Sequence, residues 1–335
     1  MFKKIFVPFN GVFILILIGL ILLPRFVDPY WVVFSLLVFM YIGVGASFNI
    51  TAGYLGYVNL GHYVFFGISA YGFSMVYVKG VPFLLCMAVG IAVTVIFATL
   101  ISYPFLRLKG GYFALANFGL IKLFELVASS LRDFTGGTQG ISLKPGYRPF
   151  QTYFIFLGVA LLTVFVCYWI PKSKFGLALF SIREDEEVAA AFGIDVNRHK
   201  MGAYVLSSVF PALLGGAYAW YSAYIDPETV FGTDKALLPV TMVMLGGTGT
   251  FLGPIVGAIF MMIIEEILWT AAWLPVWMKS LHLTMLGLIL AAVGIFSPGG
   301  FVTLTPVTVF FRWIGLGRFL GASHKSLDLE RAPIQ

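Results

Sequence analysis

SIREDEEVAAAFGIDVNRHK, residues 181–200, is a charged island in a chain whose remainder reads as lipid-soluble helix. Of the 335 residues 60% are hydrophobic and only 11% charged, and the mean hydropathy is +0.95. Apolar runs of membrane-spanning length recur on both sides of the island, from Phe9 to Phe296, and globular cores seldom need that many. The fold class is therefore an all-α polytopic integral membrane protein. In that setting a segment this polar belongs outside the bilayer, where it reads as a docking element for a cytosolic partner.

Cutting the chain at charges, Pro and Gly gives spans near 9–24, 30–50, 60–79, 82–106, 111–129, 151–170, 201–225, 236–247, 253–271 and 281–297. That makes about ten transmembrane helices, the eighth of them short. With the N-terminus inside, 13 of the 21 Lys and Arg residues fall on the cytoplasmic side and 7 on the other, with Lys122 left in a span. The asymmetry favours both termini in the cytoplasm. The expected organisation is a membrane domain over 1–300, with a cytoplasmic segment at 172–200, and a basic cytoplasmic tail over 301–335. Its end, Lys325 to Gln335, is polar and expected to be disordered. Lys3 and Lys4 before an apolar run resemble a signal peptide, but no A-x-A pattern follows, so a retained first helix is expected.

The net charge of +6 is weak evidence for nucleic acid, since basic residues flanking spans have the same origin as the sidedness, and no nucleic-acid partner is expected. Cys86 and Cys167 both lie inside apolar runs, where a thiol acts as a small hydrophobe, so neither a disulfide framework nor a metal site follows. The sequence lacks G-x-x-x-x-G-K-[ST], H-E-x-x-H, C-x-x-C and G-x-S-x-G. No catalytic residue, cofactor or nucleotide hydrolysis by this chain itself is expected.

Within the island, Ser181 and Glu184 fit an S-x-x-E capping box and Gly193 suits a left-handed stop after Phe192, which predicts a helix of about three turns. Val188, Ala189, Ala190, Ala191 and Phe192 form a small apolar face that could enter another protein's groove; the alternative is an ordinary solvated loop helix. Gly53 to His62, GYLGYVNLGH, interrupts two apolar spans, and three glycines there disfavour regular helix. Non-helical backbone at membrane depth needs protein or a watery cavity to satisfy it, making Asn59 and His62 candidates to face such a cavity. A plain cytosolic turn is the alternative. Thr135-Gly136-Gly137-Thr138, on the outer side, offers hydroxyls and bare amides to a small polar ligand, or is only a turn-rich loop. Gly249, Gly253 and Gly257 recur every four residues, a spacing that lets another helix approach, and Gly246-Gly247 is read as the end of the eighth span. Lys122 and Glu125, spaced i, i+3 in span five, can neutralise each other, while Glu265 and Glu266 diverge from one helix near a boundary.

Four blocks in order, NITAGYLGYVNLGHYVFFGISAY, RLKGGYFALANFGLIKLFELV with TGGTQGI, SKFGLALFSIREDEEVAAAFGIDVNRHK, and LLPVTMVMLGGTGTFLGPIVGA, resemble the permease subunits of branched-chain amino acid ATP-binding-cassette importers, of the LivM type. The resemblance runs from about Ser47 to Gly300. It implies a transmembrane permease domain that works with a second homologous permease, two ATP-binding subunits and an extracytoplasmic substrate-binding protein in the inner membrane of a bacterial cell, with ATP bound by the partners. The island is then the coupling segment, and Arg183, Glu184, Asp185, Glu187, Ala189, Ala190, Gly193 and Lys200 match its motif. Asn117, in the second block, joins Asn59, His62, Thr135 and Thr138 as candidates for the substrate pathway. The Gly-rich break departs from the family's usual pattern by Asn59 for Ser and by Tyr57 where Gln is common. Substrate is open, because relatives carry urea, short amides and other small organic acids as well as amino acids. The ten-span count also resembles the vitamin-B12-type importer fold.

Two other classes compete. An intramembrane enzyme would have to use His62, His282 and the Glu265–Glu266 pair, whose spacing does not arrange them within hydrogen-bond reach. A self-sufficient carrier would need paired broken helices and an in-membrane carboxylate, which the sequence does not clearly offer.

Overall fold

The computed structural model describes residues 11–143 and 149–270, together with Thr284, Leu288 and Gly300. Apart from Thr284 and Leu288, the expected tenth span lies outside the described residues, as do the basic tail and His282.

In chain order the helices are α1 (Gly11–Phe26), α2 (Pro29–Asn49), α3 (Val64–Tyr77), α4 (Phe83–Phe105), α5 (Gly111–Ser130), α6 (Arg132–Thr135), α7 (Pro149–Trp169), α8 (Lys174–Glu184), α9 (Glu186–Ala191), α10 (Val196–Ser222), α11 (Pro227–Phe231), α12 (Thr233–Gly246) and α13 (Gly253–Thr270). Pro29 opens α2 at a first-turn position, where its missing N–H is not needed. At its other end α2 runs on as a π-helical turn, Ile50–Tyr54, a form often found at functional sites. Five helical stretches among the described residues are long and apolar enough to cross a bilayer: Pro29–Tyr54, Phe83–Phe105, Gly111–Ser130, Pro149–Lys172 and Val196–Ser222. Ile14–Phe26 and Val64–Tyr77 are shorter apolar helices. The chain is thus an all-α polytopic membrane protein, and among the described residues the strands are confined to a two-residue antiparallel ribbon of β1 (Ile141–Ser142) and β2 (Tyr224–Ile225).

Burial sorts the helices. The apolar window of Pro29–Tyr54 is 72% buried and that of Val196–Ser222 61%, whereas those of α4 and α5 are each 28% buried, so α2 and α10 form the centre and α4 and α5 the periphery. α10 packs on α2, α3, α4 and α7, and α2 on α7 and α13. Both cysteines are free and buried in this core, as their apolar setting predicts; the Cys167 thiol donates to the Ala46 carbonyl at 3.0 Å.

The chain has two distinct polar ends. At one, the residues around Gly53, the turn after α12 and the island come together, since the Arg183 guanidinium donates to the Gly53 carbonyl and Gly249 lies against both. At the other sit the ribbon, α6 and α11. Helix α12 follows α11 at the ribbon end and delivers the chain to Gly249 at the island end. With 14 residues, α12 is shorter than the five stretches able to cross a bilayer.

One glycine reading is corrected. Gly249 does not share a helical face with Gly253 and Gly257; it sits in the turn before α13 with φ +77°. The reason is the Gly246-Gly247 end of α12, after which Gly249 is needed for the left-handed reversal. Gly253 and Gly257 do allow a close approach, of α13 to the end of α12. A Cβ at Gly257 would stand 1.7 Å from the Met242 carbonyl oxygen, which is backbone and cannot swing aside. Gly257→Ala is expected to lower stability by about 3 kcal/mol, the upper end for overpacking, read as a lower midpoint when heat exposes the two buried thiols to a thiol-reactive dye.

Candidate functional site

The island is built from three helices, each opened by a side-chain cap. Ser173 opens α8 by accepting from the Gly176 amide at 3.0 Å. Ala178, Leu179 and Ile182 are buried, so one apolar face holds α8 on the bundle. Helix α8 therefore continues through Ser181, whose hydroxyl turns back to the Leu177 carbonyl at 3.0 Å. The predicted Ser181–Glu184 capping box does not form. Asp185 is the cap instead: its backbone is extended and its Oδ1 accepts from the amides of Glu187 at 2.8 Å and Val188 at 3.0 Å. The resulting α9 has six residues rather than three turns. Its end is as predicted, with Gly193 at φ +83°. Asp195 then accepts from the Arg198 amide at 3.1 Å and starts α10, which begins inside the island and carries Lys200 with it.

What α9 shows to solvent is mixed. Ala189 is buried, while Ala190, Ala191 and Gly193 are exposed, Val188 is 50% exposed and Phe192 83% exposed. Arg183, Glu184, Asp185 and Glu187 are also exposed. A fully exposed aromatic beside a valine, rimmed by charge, is a surface suited to a protein groove.

Lys200 belongs to a different role from the one its motif position suggests, because it is buried at 2% exposure and cannot reach a partner. Its ammonium lies 2.5 Å from Glu186 Oε1 and donates to the Tyr57 hydroxyl at 2.5 Å, and that hydroxyl in turn donates to Glu186 at 2.5 Å. Burial works against the Glu186 charge, but the hydrogen bonds from Lys200 and Tyr57 outweigh it and hold the carboxyl below the ordinary carboxylate range. Burial, then the hydrogen bond to Glu186 and its charge, push the Tyr57 hydroxyl up, so it stays a donor. The tyrosine found where the family commonly has Gln is thus the third member of a closed triad.

A second fastening lies beside the first. Arg183 donates to the Gly53 carbonyl at 2.6 Å, at the π-helical turn. Asn49 holds the neighbouring turn by donating to the Thr250 carbonyl at 2.9 Å and accepting from the Gly249 amide at 2.8 Å. Gly53 admits this packing, since a Cβ there would stand 2.1 Å from Asn49 Oδ1. Sequence reasoning missed Asn49 and Glu186; only the proximity of polar residues to the glycine break could have pointed to them. Between the break, the Lys109–Gly111 loop and residues 182–187 lies a cavity of about 630 Å³.

The remaining candidates separate. Asn59 and His62 are buried at 0% and 2% in the irregular stretch between α2 and α3, while Gly56 and Val58 of the same stretch are exposed. His62 Nε2 lies 2.9 Å from the Ser47 hydroxyl, whereas both polar atoms of the Asn59 side chain lack a partner among the described residues. Asn117 is buried nearby, accepting from Tyr204 at 2.9 Å and donating to the Phe113 carbonyl at 2.8 Å, and a Cβ at Gly61 would stand 2.1 Å from its carbonyl oxygen. Thr135 is not free for a ligand: its hydroxyl lies between the Ala128 and Leu131 carbonyls, which share its one proton, and accepts from the Gly137 amide. It is a turn fastener at the ribbon end. Thr138 is exposed at that same end and the structure does not bring it near Asn59, His62 or Asn117.

Comparison with known proteins agrees with the architecture. The family described as branched-chain amino acid transport system / permease component matches residues 31–293. The high-affinity branched-chain amino acid transport system permease protein LivM of Escherichia coli (strain K12) is 24% identical over 314 residues, 84% of this chain and 72% of that protein. The protein of the same name from Salmonella typhimurium is 24% identical over 298 residues, 79% of this chain and 68% of the relative. An autoinducer 2 import system permease protein, LsrC of Klebsiella pneumoniae, is 27% identical over 128 residues, covering 37% of this chain and 36% of LsrC. No solved structure matches the chain. With a family match across most of its length, on a polytopic helical bundle, the chain belongs to the permease components of branched-chain amino acid transport systems.

Proposed function

We propose that this chain is the transmembrane permease subunit of an ATP-driven importer for branched-chain amino acids or related small polar amino acids and amides. In this reading it sits in a bacterial inner membrane with both termini in the cytoplasm. It assembles with a second permease, two ATP-binding subunits and an extracytoplasmic binding protein, and it has no ATPase site of its own. The supporting observation is the island: an exposed Val188–Phe192 surface on one side of a short capped helix, tied on its other side to the glycine break through Lys200–Glu186–Tyr57 and Arg183–Gly53. Closure of the ATP-binding subunits would pull α9, and the two fastenings would pass the displacement to residues 53–57 and so toward Asn59 and His62. Amino acids as substrates are supported by the relatives named as branched-chain amino acid transport permeases, and the relative named as an autoinducer 2 import permease keeps other solutes open.

The test is uptake by the full assembly reconstituted in liposomes. Accumulation of a branched-chain amino acid that requires both ATP and the binding protein is expected. Uptake that persists without ATP would contradict the reading and favour a self-sufficient carrier.

A further inference from the structure

An unbroken line of rings joins the island's triad to the centre of the bundle. Tyr57, the third member of the triad, meets Phe113 edge to face at 5.0 Å between ring centres, and Phe113 meets Tyr204 at 6.3 Å. Tyr204 then meets Phe65 at 5.4 Å, Phe65 meets His62 at 5.7 Å and His62 meets Phe48 at 5.9 Å, each again edge to face. All six side chains are buried, so in a close-packed interior none moves far without displacing the next. The line runs from the glycine break through α5, α10 and α3 and ends on α2.

Packed neighbours relay a displacement where one of them has two discrete arrangements to choose between. Tyr204 has them. Its hydroxyl carries one proton, which it gives to Asn117 Oδ1 at 2.9 Å. The nitrogen of the Asn117 carboxamide is already taken by the Phe113 carbonyl at 2.8 Å. Across from α5, Gly61 is pressed against the Asn117 backbone, and Asn59, two residues earlier, lies close enough for its dipole to act on the Tyr204 hydroxyl. Yet Asn59, at 0% exposure, makes no side-chain hydrogen bond among the described residues through either its oxygen or its nitrogen. A buried carboxamide is unfavourable when left unpaired, and this one is a ready second acceptor for the same proton.

We propose that Tyr204 is a two-position switch, its hydroxyl bonded to Asn117 on α5 in this structure and to Asn59 on the glycine break in the alternate arrangement, with movement of Tyr57 selecting between them. The inference rests on the importer reading above and adds the element that relays the island's displacement into the membrane core. Each position satisfies one carboxamide oxygen and leaves the other unpaired, so the two arrangements lie close in energy and a modest displacement chooses between them. In one, central α10 is tied to peripheral α5. In the other, it is tied to the break that carries His62.

The experiment uses the whole assembly in liposomes, with Tyr204→Phe, Asn59→Leu and the double variant. It measures ATP-driven uptake of labelled leucine, ATP hydrolysis in the same vesicles and the thermal midpoint, with urea as the probe if the unaltered assembly does not move leucine. Tyr204→Phe keeps the ring and removes only the hydroxyl. It is expected to lower uptake by about tenfold while hydrolysis continues, so that more ATP is hydrolysed per molecule moved. Asn59→Leu is expected to lower uptake similarly and to raise the thermal midpoint, because it removes the unpaired carboxamide. The double variant is expected to be no worse than either single one, since both changes break the same exchange. Losses that multiply in the double variant would overturn the switch, as would an Asn59→Leu chain that transports like the unaltered one. Hydrolysis that falls in step with uptake in Tyr204→Phe would overturn it as well, by showing a structural role only. Those outcomes in an active assembly remove the switch alone, whereas an unaltered assembly that moves neither probe with ATP removes the importer reading itself.

Discussion

Lys200→Met is expected to abolish ATP-driven uptake and to lower stability by about 3 kcal/mol, because it leaves Glu186 and Tyr57 facing each other at a site closed around an ammonium. Glu186 retains 23% exposure, so water softens the penalty and the lower end of the range for a broken buried pair applies. Heating with a thiol-reactive dye reads the stability, since Cys86 and Cys167 react only once the core opens. The double variant Lys200→Met with Glu186→Gln removes the orphaned charge and should recover more than half of the lost stability while uptake stays absent. That split separates fastening from folding. Recovery of both together would mean that the triad serves only stability. The sign with pH follows from Glu186. Its carboxyl is held below the ordinary range in the folded chain, so its contribution is complete above the unfolded carboxylate pKa and is lost as pH falls through the folded value. The advantage of the unaltered chain over Lys200→Met should therefore shrink only in acid, below the usual carboxylate range.

Phe192→Asp is expected to leave stability unchanged and to remove transport. Phe192 is the C-cap residue of α9, but the cap bonds are made by its backbone, and its side chain is 83% exposed, so exchanging that side chain leaves no cavity in this chain. In a partner's groove, however, a buried aromatic anchor contributes about 2 kcal/mol or more, roughly thirtyfold in affinity, and a carboxylate there is also desolvated without a counter-charge. The measurement pairs the thermal midpoint with recovery of the ATP-binding subunits on purification. An unchanged midpoint with the subunits lost is the expected pattern. Val188→Asp, at 50% exposure on the same short helix, should act in the same direction and less strongly.

Much of the architecture was legible because membrane burial imposes it residue by residue. The long apolar runs, the stop of α12 at Gly246, the buried thiols and the left-handed Gly193 all follow from local composition and φ. Where reading failed, two local solutions competed and long-range packing chose. Ser181 and Asp185 are both good caps; the buried face of Ala178, Leu179 and Ile182 carried α8 past the first and left the second to start α9. Gly249 fits a four-residue stripe, but the end of α12 placed it in a turn. The Lys200–Glu186–Tyr57 triad spans residues 57 to 200, and no local pattern could have joined them. Lys200 looked like a docking charge because motif position says nothing of burial. Thr135 looked like a ligand group because a sequence does not show which backbone carbonyls a hydroxyl already serves.

The claim that ATP-driven force enters through α9 requires its exposed face to lie in the cytoplasm. A single added thiol at Ala191→Cys, exposed beside Phe192 and with the two native thiols buried, can be tested with a membrane-impermeant maleimide on intact cells and on inside-out vesicles. Labelling only in inside-out vesicles, and weaker when the ATP-binding subunits are present, is the predicted result. Labelling of intact cells would contradict the account at its root.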